Sequence, residues 1–258
     1  MTVDLGRCWR VTATGFGFAA FGLGAVLVSI FIFPPLRLLP IDRERCGLLA
    51  RQLIRVSFRG LLWFMVKAGV MRLEVTGADK LRDCRNVLVL ANHPTLIDVV
   101  VLISLLPAAG CIVKRSLWRN PFLAGVVSAA RYIANHRPET MLDDCTRFLS
   151  GDQPLIIFPE GTRSGDGGTL RFQRGASYVA LRSGRPILPV IVRCDPPTLR
   201  KGGRWYEVPP RAFCLRIEVR DRLHACDLVD TTVSSPIAAR NLTRVLEDYF
   251  SRELATHG

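Results

Sequence analysis

The stretch NHPTLID, residues 92–98, directly follows the apolar run VLVLA at residues 87–91. A short apolar run that ends in polar residues is typical of a buried strand. The stretch places His93 and Asp98 five positions apart at the exit of that strand. In sheets that alternate with helices, binding sites form beyond the carboxyl ends of the strands. This stretch therefore predicts both a buried strand and a functional site at its end.

The residues after His93 predict a helix. Pro94 suits the first turn of a helix, where its missing N–H is not needed. The sequence predicts that a helix begins near Thr95 and continues through the apolar residues 97–106.

The rest of the chain alternates between the two kinds of apolar pattern. Strands are predicted at residues 73–76, 87–91, 111–114, 155–158, 187–192 and 213–219. Helices are predicted at residues 97–106, 117–130, 139–149, 176–182 and 236–254. This alternation predicts an α/β fold with a mixed, largely parallel sheet flanked by helices.

The pair His93 and Asp98 is a candidate for proton transfer. The unperturbed pKa of histidine lies nearest neutrality, and a carboxylate bonded to one ring nitrogen leaves the other nitrogen free to accept a proton. His93 is then the base and Asp98 its orienting partner. The alternative is that His93 caps a helix and Asp98 only occupies its first turn.

A second polar stretch, FPEGTRS at residues 158–164, follows the predicted strand at 155–158. Proline and glycine reshape the backbone here so that amide groups can converge, and Arg163 offers a planar fork that suits a phosphate. The stretch predicts a phosphate site. The alternative is a solvated turn with an incidental pair of Glu160 and Arg163.

NHPTLID followed by FPEGTRS resembles the glycerolipid (PlsC-like) acyltransferase family, membrane enzymes that acylate lysophosphatidate and related lysolipids. The resemblance implies a glycerol-3-phosphate acyltransferase-like fold. It also implies a role in acceptor binding and site architecture for Glu160, Gly161, Thr162 and Arg163. Lys114, the last residue of the predicted strand at 111–114, is a candidate for contacts with a headgroup or donor.

A weaker match lies at YIANHR, residues 132–137, which resembles the family block that contributes to the phosphate site. Arg137 is carried over as a phosphate ligand. Arg131 stands where the family has glycine, and His136 stands where it has aspartate. These departures favour, as an alternative, a specialised lipid or glycolipid acceptor.

The 258 residues carry 35 Lys and Arg against 22 Asp and Glu, a net charge of +13. This excess favours a polyanionic partner, either an anionic lipid surface or nucleic acid. Residues 11–33 carry no charge, which predicts a membrane helix and favours lipid. The alternatives for this run are a signal peptide and a helix that enters one leaflet and returns. The distribution of arginines around it predicts an inner (cytoplasmic) membrane protein with its catalytic domain on the cytoplasmic face.

Residues 46–71 stay apolar, but Arg51, Arg55 and Arg59 recur every four residues. This pattern predicts a helix in the membrane interface with its arginines on headgroup phosphates. The alternative is a surface helix packed on the domain. We predict a membrane helix at 1–33, an interfacial helical segment at 34–71 and an α/β acyltransferase domain at 72–258.

The resemblance implies transfer of a fatty acyl group from acyl-CoA or acyl-ACP (acylated acyl carrier protein) to the hydroxyl of a lysophospholipid, most directly 1-acyl-sn-glycerol-3-phosphate. The eight cysteines have no metal-like spacing with the four histidines, so we expect no metal and no cofactor beyond the co-substrate. No nucleic-acid motif is present. The competing hypothesis is a catalytically silent protein that binds anionic lipid. A basic, aromatic loop at residues 199–211 either touches lipid or simply connects two strands.

Overall fold

The computed structural model describes residues 5–33, 42–82, 84–135, 138–164 and 170–256. Its strands, in chain order, are β1 (Met71–Thr76), β2 (Leu88–Ala91), β3 (Gly110–Val113), β4 (Ile133–Ala134), β5 (Leu155–Ile157), β6 (Ile187–Asp195) and β7 (Phe213–Val219). Its α-helices are α1 (Leu5–Leu27), α2 (Arg43–Lys67), α3 (Asp79–Arg82), α4 (Asp98–Leu105), α5 (Ala124–Ala129), α6 (Pro138–Leu149), α7 (Arg174–Ser183), α8 (Ala225–Leu228) and α9 (Ser235–Ala255). A π-helical segment (Val28–Ile32) continues α1, and a 3₁₀ helix (Arg115–Arg119) precedes α5.

The strands of the described residues form one seven-stranded sheet with the order β1-β7-β6-β2-β5-β3-β4. Every neighbouring pair is parallel except β6 with β7, which is antiparallel. The predicted fold class, a mixed and largely parallel sheet flanked by helices, is confirmed. Because β2 and β5 are parallel neighbours, the two polar stretches that follow them emerge at the same edge of the sheet.

Strand β2 is buried on both faces, as its near-continuous apolar sequence predicts. Val89 and Ala91 pack in one apolar cluster with residues of α1, α2, α4 and α5. Leu88 and Leu90 pack in a second cluster with residues of α6, α7 and α9. The sheet therefore lies between two layers of helices, and β2 lies at its centre.

The predicted helix at 117–130 is wrong, because the chain there breaks into the 3₁₀ helix and the shorter α5. The cause is Pro121, which disfavours a helical conformation at the preceding residue. Asn120 is extended, with ψ of 119°, and its side-chain oxygen accepts a hydrogen bond from the Phe122 N–H. The two-residue strand β4 was missed because so short a run carries no periodic signal.

Helices α1 and α2 pack side by side in antiparallel directions. The rings of Phe16 and Phe64 are 5.3 Å apart, and those of Phe21 and Phe58 are 5.5 Å apart. The Trp9 indole donates a hydrogen bond to the carbonyl of Ala68, just beyond the end of α2. Large apolar side chains of α1 nevertheless remain exposed, namely Leu5, Trp9, Phe16, Leu23 and Leu27.

Of the three arginines in the predicted lipid-facing stripe of α2, Arg51 and Arg55 are turned into the protein, whereas Arg59 is exposed. Arg51 is 1 % exposed, and its guanidinium donates at 3.0 Å to the carbonyls of both Ala108 and Ala130. Arg55 donates to the Ser104 carbonyl in the last turn of α4. Carbonyls at helix ends lack partners within their own helix, so these cations stabilise the ends of α4 and α5. The contacts of Arg51 and Arg55 therefore favour the alternative interpretation, in which α2 is a surface helix packed on the domain.

The proposed division into residues 1–33, 34–71 and 72–258 stays a prediction. Residues 34–41 lie outside the described residues.

Candidate active site

Asn92 fixes the point where the chain leaves β2. It is buried, its side-chain amide donates to the Val192 carbonyl at 2.8 Å, and its side-chain oxygen accepts from the Val192 N–H at 2.7 Å. The side chain thus pairs with β6 as a further strand residue would. Sequence reasoning assigned no role to Asn92, although a polar residue at the end of a buried strand was the available signal.

Replacing Asn92 with alanine should destabilise the fold. Two buried backbone groups of Val192 would lose their partners, at a cost of about 1–3 kcal/mol each. Chemical denaturation in detergent should show this loss in the free energy of unfolding. The control is Asn120→Ala, which removes a single hydrogen bond at an exposed turn and should cost less. Equal losses in the two variants would contradict the role of Asn92.

His93 and Asp98 form the predicted hydrogen-bonded pair. The distance from His93 Nδ1 to Asp98 Oδ2 is 3.1 Å, and the same oxygen accepts from the Thr95 N–H at 2.8 Å. Helix α4 begins at Asp98, not near Thr95 as predicted, because residues 94–97 form a turn. That turn lets the aspartate reach back three residues and hold both groups.

Asp98 is fully buried, and burial raises the pKa of its carboxyl to about 6. The hydrogen bond from His93 opposes this shift, whereas the charge of Glu160 adds to it. Among the described residues Asp98 Oδ1 has no hydrogen-bond partner. The carboxylate therefore directs its charge at His93 through one oxygen.

The His93 ring is held from a second side by Phe158, the first residue of the second polar stretch. The two ring centroids are 4.2 Å apart, and the planes are tilted by 25°. The His93 side chain keeps 16 % of its surface exposed. The ring is therefore fixed in orientation and still accessible from the cleft that it lines.

Two hydrogen bonds join the two polar stretches, and a third lies within the second stretch. The His93 N–H donates to Glu160 Oε1 at 2.8 Å, the Ser164 N–H donates to the His93 carbonyl at 2.8 Å, and the Ser164 hydroxyl donates to Glu160 Oε1 at 3.0 Å. Glu160 thus positions the backbone of His93. Ser164, to which sequence reasoning gave no role, completes the connection.

The other predicted residues of the second stretch line the cleft. Gly161 has φ of +68°, a conformation that glycine adopts without strain. Thr162 and Arg163 follow it along the cleft wall. Arg163, predicted as a fork for phosphate, uses Nη1 to donate at 2.8 Å to the carbonyls of both Leu199 and Arg200. Its role in phosphate binding stays a hypothesis.

The cleft has a volume of about 530 Å³. His93, Gly161, Thr162, Arg163 and Lys114 all lie on its wall, whereas Glu160 lies behind His93. Arg137, with His136, lies outside the described residues. The structure adds Lys201 to the cleft wall, a residue for which sequence reasoning offered only a general lipid contact.

Two apolar spaces adjoin this cleft. The first, of about 390 Å³, shares Leu96, Val99, Val113 and Leu117 with the cleft and is lined almost wholly by apolar side chains. The second, of about 340 Å³, is a groove along α1 and α2 that shares Phe21, Ile54, Phe58 and Leu61 with the first. The polar cleft and an apolar cavity thus lie next to each other.

Comparison with known proteins shows a similarity to acyltransferases. A family model described as Acyltransferase matches residues 72–193, which contain both polar stretches. The 1-acyl-sn-glycerol-3-phosphate acyltransferase beta of Homo sapiens is 31 % identical over 128 residues, 47 % of this chain and 46 % of that protein. The comparisons support a PlsC-like acyltransferase family for the matched part of the chain.

Other similar proteins match over different lengths of the chain. It aligns with about half the length of the human and bovine proteins. The 1-acyl-sn-glycerol-3-phosphate acyltransferase of Borreliella burgdorferi is 27 % identical over 79 % of this chain and 78 % of its own length. The crystal structure of the 1-acyl-sn-glycerophosphate acyltransferase PlsC from Thermotoga maritima has a TM-score of 0.67 at 20 % identity, with 95 % of this chain and 98 % of that chain covered. This last likeness supports the fold.

The structure gives a role to Arg131, one of the departures from the family block that this part of the chain resembles. Arg131, at the family's glycine position, has φ of +55°, which glycine adopts more easily than arginine. The Arg131 side chain pairs with Glu44 of α2. It therefore ties α2 to the domain at this position.

Within the described ranges, no group of three or more His, Cys, Asp or Glu side chains could hold a metal ion. The buried cysteines Cys111 and Cys145 have thiol pKa values raised to about 12 by burial. Neither would supply a thiolate at neutral pH.

Proposed function

We propose that this protein is an O-acyltransferase that moves a fatty acyl group from an acyl thioester to the hydroxyl of a lysophospholipid. The favoured acceptor is 1-acyl-sn-glycerol-3-phosphate, which would give phosphatidic acid. The observation that carries the proposal is the His93–Asp98 pair on a cleft with cations on its wall and an apolar cavity beside it.

In the proposed reaction His93 is the general base. Asp98 accepts the Nδ1–H of the imidazole, so that Nε2 is free to take the proton of the acceptor hydroxyl. That oxygen attacks the thioester carbonyl, and a tetrahedral intermediate forms. When the intermediate collapses, the carbon–sulfur bond breaks and His93 returns the proton to the departing thiolate. Asp98 stabilises the imidazolium between these two steps.

The apolar cavity beside the cleft is proposed to hold the acyl chain. Replacing Val100, a half-buried residue on its wall, with phenylalanine should shorten the usable cavity. Each buried methylene contributes about 0.8 kcal/mol, so losing space for two or three methylenes should favour shorter chains over longer ones by about 10-fold or more. Competition between thioesters of different chain length measures this ratio.

The matched control is Val56→Phe, the same change on the exposed face of α2, outside the residues that line the cavity. It should leave the chain-length ratio unchanged. An unchanged ratio in the Val100→Phe variant as well would contradict this use of the cavity.

The membrane association of the protein is also a proposal. By length and composition, the helical stretch Leu5–Ile32 could cross a membrane. Its exposed face carries large apolar side chains such as Leu5 and Leu23, while Phe21 packs on Phe58 of α2. We propose that this face holds the domain against the cytoplasmic side of the inner membrane, where lysolipid and acyl thioester meet.

The function can be tested by incubating purified protein with a panel of lysolipids and a radiolabelled donor, either acyl-CoA or acyl-ACP. Labelled phosphatidic acid is the expected product. If label passes to none of the lysolipids, the assignment is wrong. Transfer only to another lipid class would favour the specialised acceptor that the altered block around Arg131 suggests. Growth rescue of a strain that lacks lysophosphatidate acylation is an independent readout.

A further inference from the structure

A loop after β6 closes one side of the cleft. We call residues 198–207 the strap; they lie beyond the segment that the family model matches. The strap is anchored at its start, where Thr198 and Leu199 are buried. The Leu199 carbonyl accepts both from Arg163 Nη1 at 2.8 Å and from the Leu96 N–H at 3.2 Å. The strap is thus tied to both polar stretches of the site.

The middle of the strap is a turn with its own hydrogen bonds. The Gly203 N–H donates to the Arg200 carbonyl at 3.2 Å, and Gly202 has φ of +83°. The Arg200 carbonyl also accepts from Arg163 at 2.8 Å. The turn therefore starts from a carbonyl that Arg163 holds, and Lys201 is the next residue, on the wall of the cleft.

Lys201 brings a charge to the cleft that no described side chain neutralises. Among the described side chains, neither Lys201 nor Lys114 has a hydrogen-bond or ion-pair partner, and both line the same cleft as His93. The carboxylate of Glu160 is already bonded to His93 and Ser164. Two unpaired ammonium groups on one concave wall attract an anion.

We propose that Lys201 binds the phosphate of the acceptor lipid, and that Arg163 is the positioning residue that holds Lys201 in place. This inference rests on the proposed function. In 1-acyl-sn-glycerol-3-phosphate the free hydroxyl and the phosphate-bearing oxygen are on adjacent carbons, so both must lie in the cleft that contains His93. The phosphates of coenzyme A are separated from its thioester by the whole pantetheine chain. The acceptor is therefore the source of phosphate that fits this cleft.

The test measures kcat and KM of the Lys201→Ala variant with two acceptors. With lysophosphatidate, KM should rise about 10-fold or more, the effect of losing one charged hydrogen bond, while kcat changes little. With monoacylglycerol, which has no phosphate, KM should stay unchanged. Lys201→Arg should restore most of the loss. An unchanged KM for lysophosphatidate, or a rise only in the KM for the donor, overturns the proposal.

The matched control is Arg204→Ala. Arg204 is in the same strap, outside the cleft lining, and its guanidinium contacts Tyr206. It should leave the KM for lysophosphatidate unchanged. An equal rise in both variants would mean that the strap acts only through its general charge at a lipid surface, which overturns the assignment to Lys201.

The double variant Arg163→Gln with Lys201→Ala tests the positioning role. If Arg163 acts through Lys201, the increase in KM of the double variant will be smaller than the product of the two single increases. Multiplicative increases would show that Arg163 binds substrate independently and would overturn its positioning role. Wild-type protein that acylates no acceptor would instead refute the proposed function, so the two failures are distinguishable.

Discussion

His93→Gln is expected to lower kcat for acyl transfer by about 100- to 10,000-fold, the usual contribution of a positioned general base. Glutamine has similar polarity but cannot take a proton from the acceptor hydroxyl at neutral pH. The backbone bonds of His93 to Glu160 and Ser164 do not involve the imidazole and should persist. A single-turnover assay with labelled acyl thioester measures the loss directly.

The control for this variant is His224→Gln, an exposed histidine outside the residues that line the cleft. It should transfer acyl groups at the wild-type rate. Undiminished transfer by the His93→Gln variant would refute His93 as the base.

Asp98→Asn is expected to lower kcat by about 100-fold or more, because carboxylates that orient a catalytic histidine are worth at least that much. Both hydrogen bonds of Asp98 fall on Oδ2, so an amide with its oxygen in that place can keep both. The expected loss therefore comes from removing the negative charge of Asp98, which stabilises the imidazolium of His93. A wild-type rate in this variant would contradict the role of Asp98.

The raised pKa of Asp98, about 6, gives the same prediction a pH dependence. Above pH 6 the folded protein carries the carboxylate; as the pH falls through 6, this group takes up a proton and loses its hold on an imidazolium. Wild-type kcat should therefore fall on the acid side with an apparent pKa near 6, as Asp98 takes up its proton. A pH–rate profile that is flat between pH 7 and 5 would contradict this.

The same shift has the opposite sign for stability. The pKa in the folded state lies above the ordinary value of 3.8, so the cost of the buried charge is absent below pH 3.8 and complete above pH 6. At pH 8 the uncharged Asp98→Asn protein should therefore avoid this cost. Activity and stability would then respond to the variant in opposite directions.

Local sequence rules predicted the parts of the fold that depend on neighbouring residues. The apolar runs that became β2 and β5 were sufficient to predict strands, and their parallel neighbourhood brings His93 and Phe158 into contact. The hydrogen-bonded pair of His93 and Asp98 also followed from spacing. Where two interacting side chains are joined by a single turn, as His93 and Asp98 are, the local sequence was enough to predict their contact.

Residues whose partners lie far along the chain could not be predicted in this way. Spacing placed Arg51 on a lipid-facing stripe, yet its partners are carbonyls 57 and 79 residues away. Arg163 had the chemistry of a phosphate ligand, but its Nη1 holds carbonyls 36 and 37 residues further on. A cation binds whichever oxygens the tertiary fold brings to it, and periodicity carries no information about that choice.

The polar cleft adjoins the apolar cavity, which in turn adjoins the groove along α1 and α2. This arrangement has a consequence for turnover. A two-chain product is far less soluble in water than its one-chain precursor, and a sideways path lined by Phe21 and Phe58 lets it leave without entering water. Under the proposed function, substrate would arrive and product would depart by diffusion within the bilayer plane. The rate should therefore follow the mole fraction of lysolipid in the surface and fall when inert lipid dilutes it, even at constant bulk concentration.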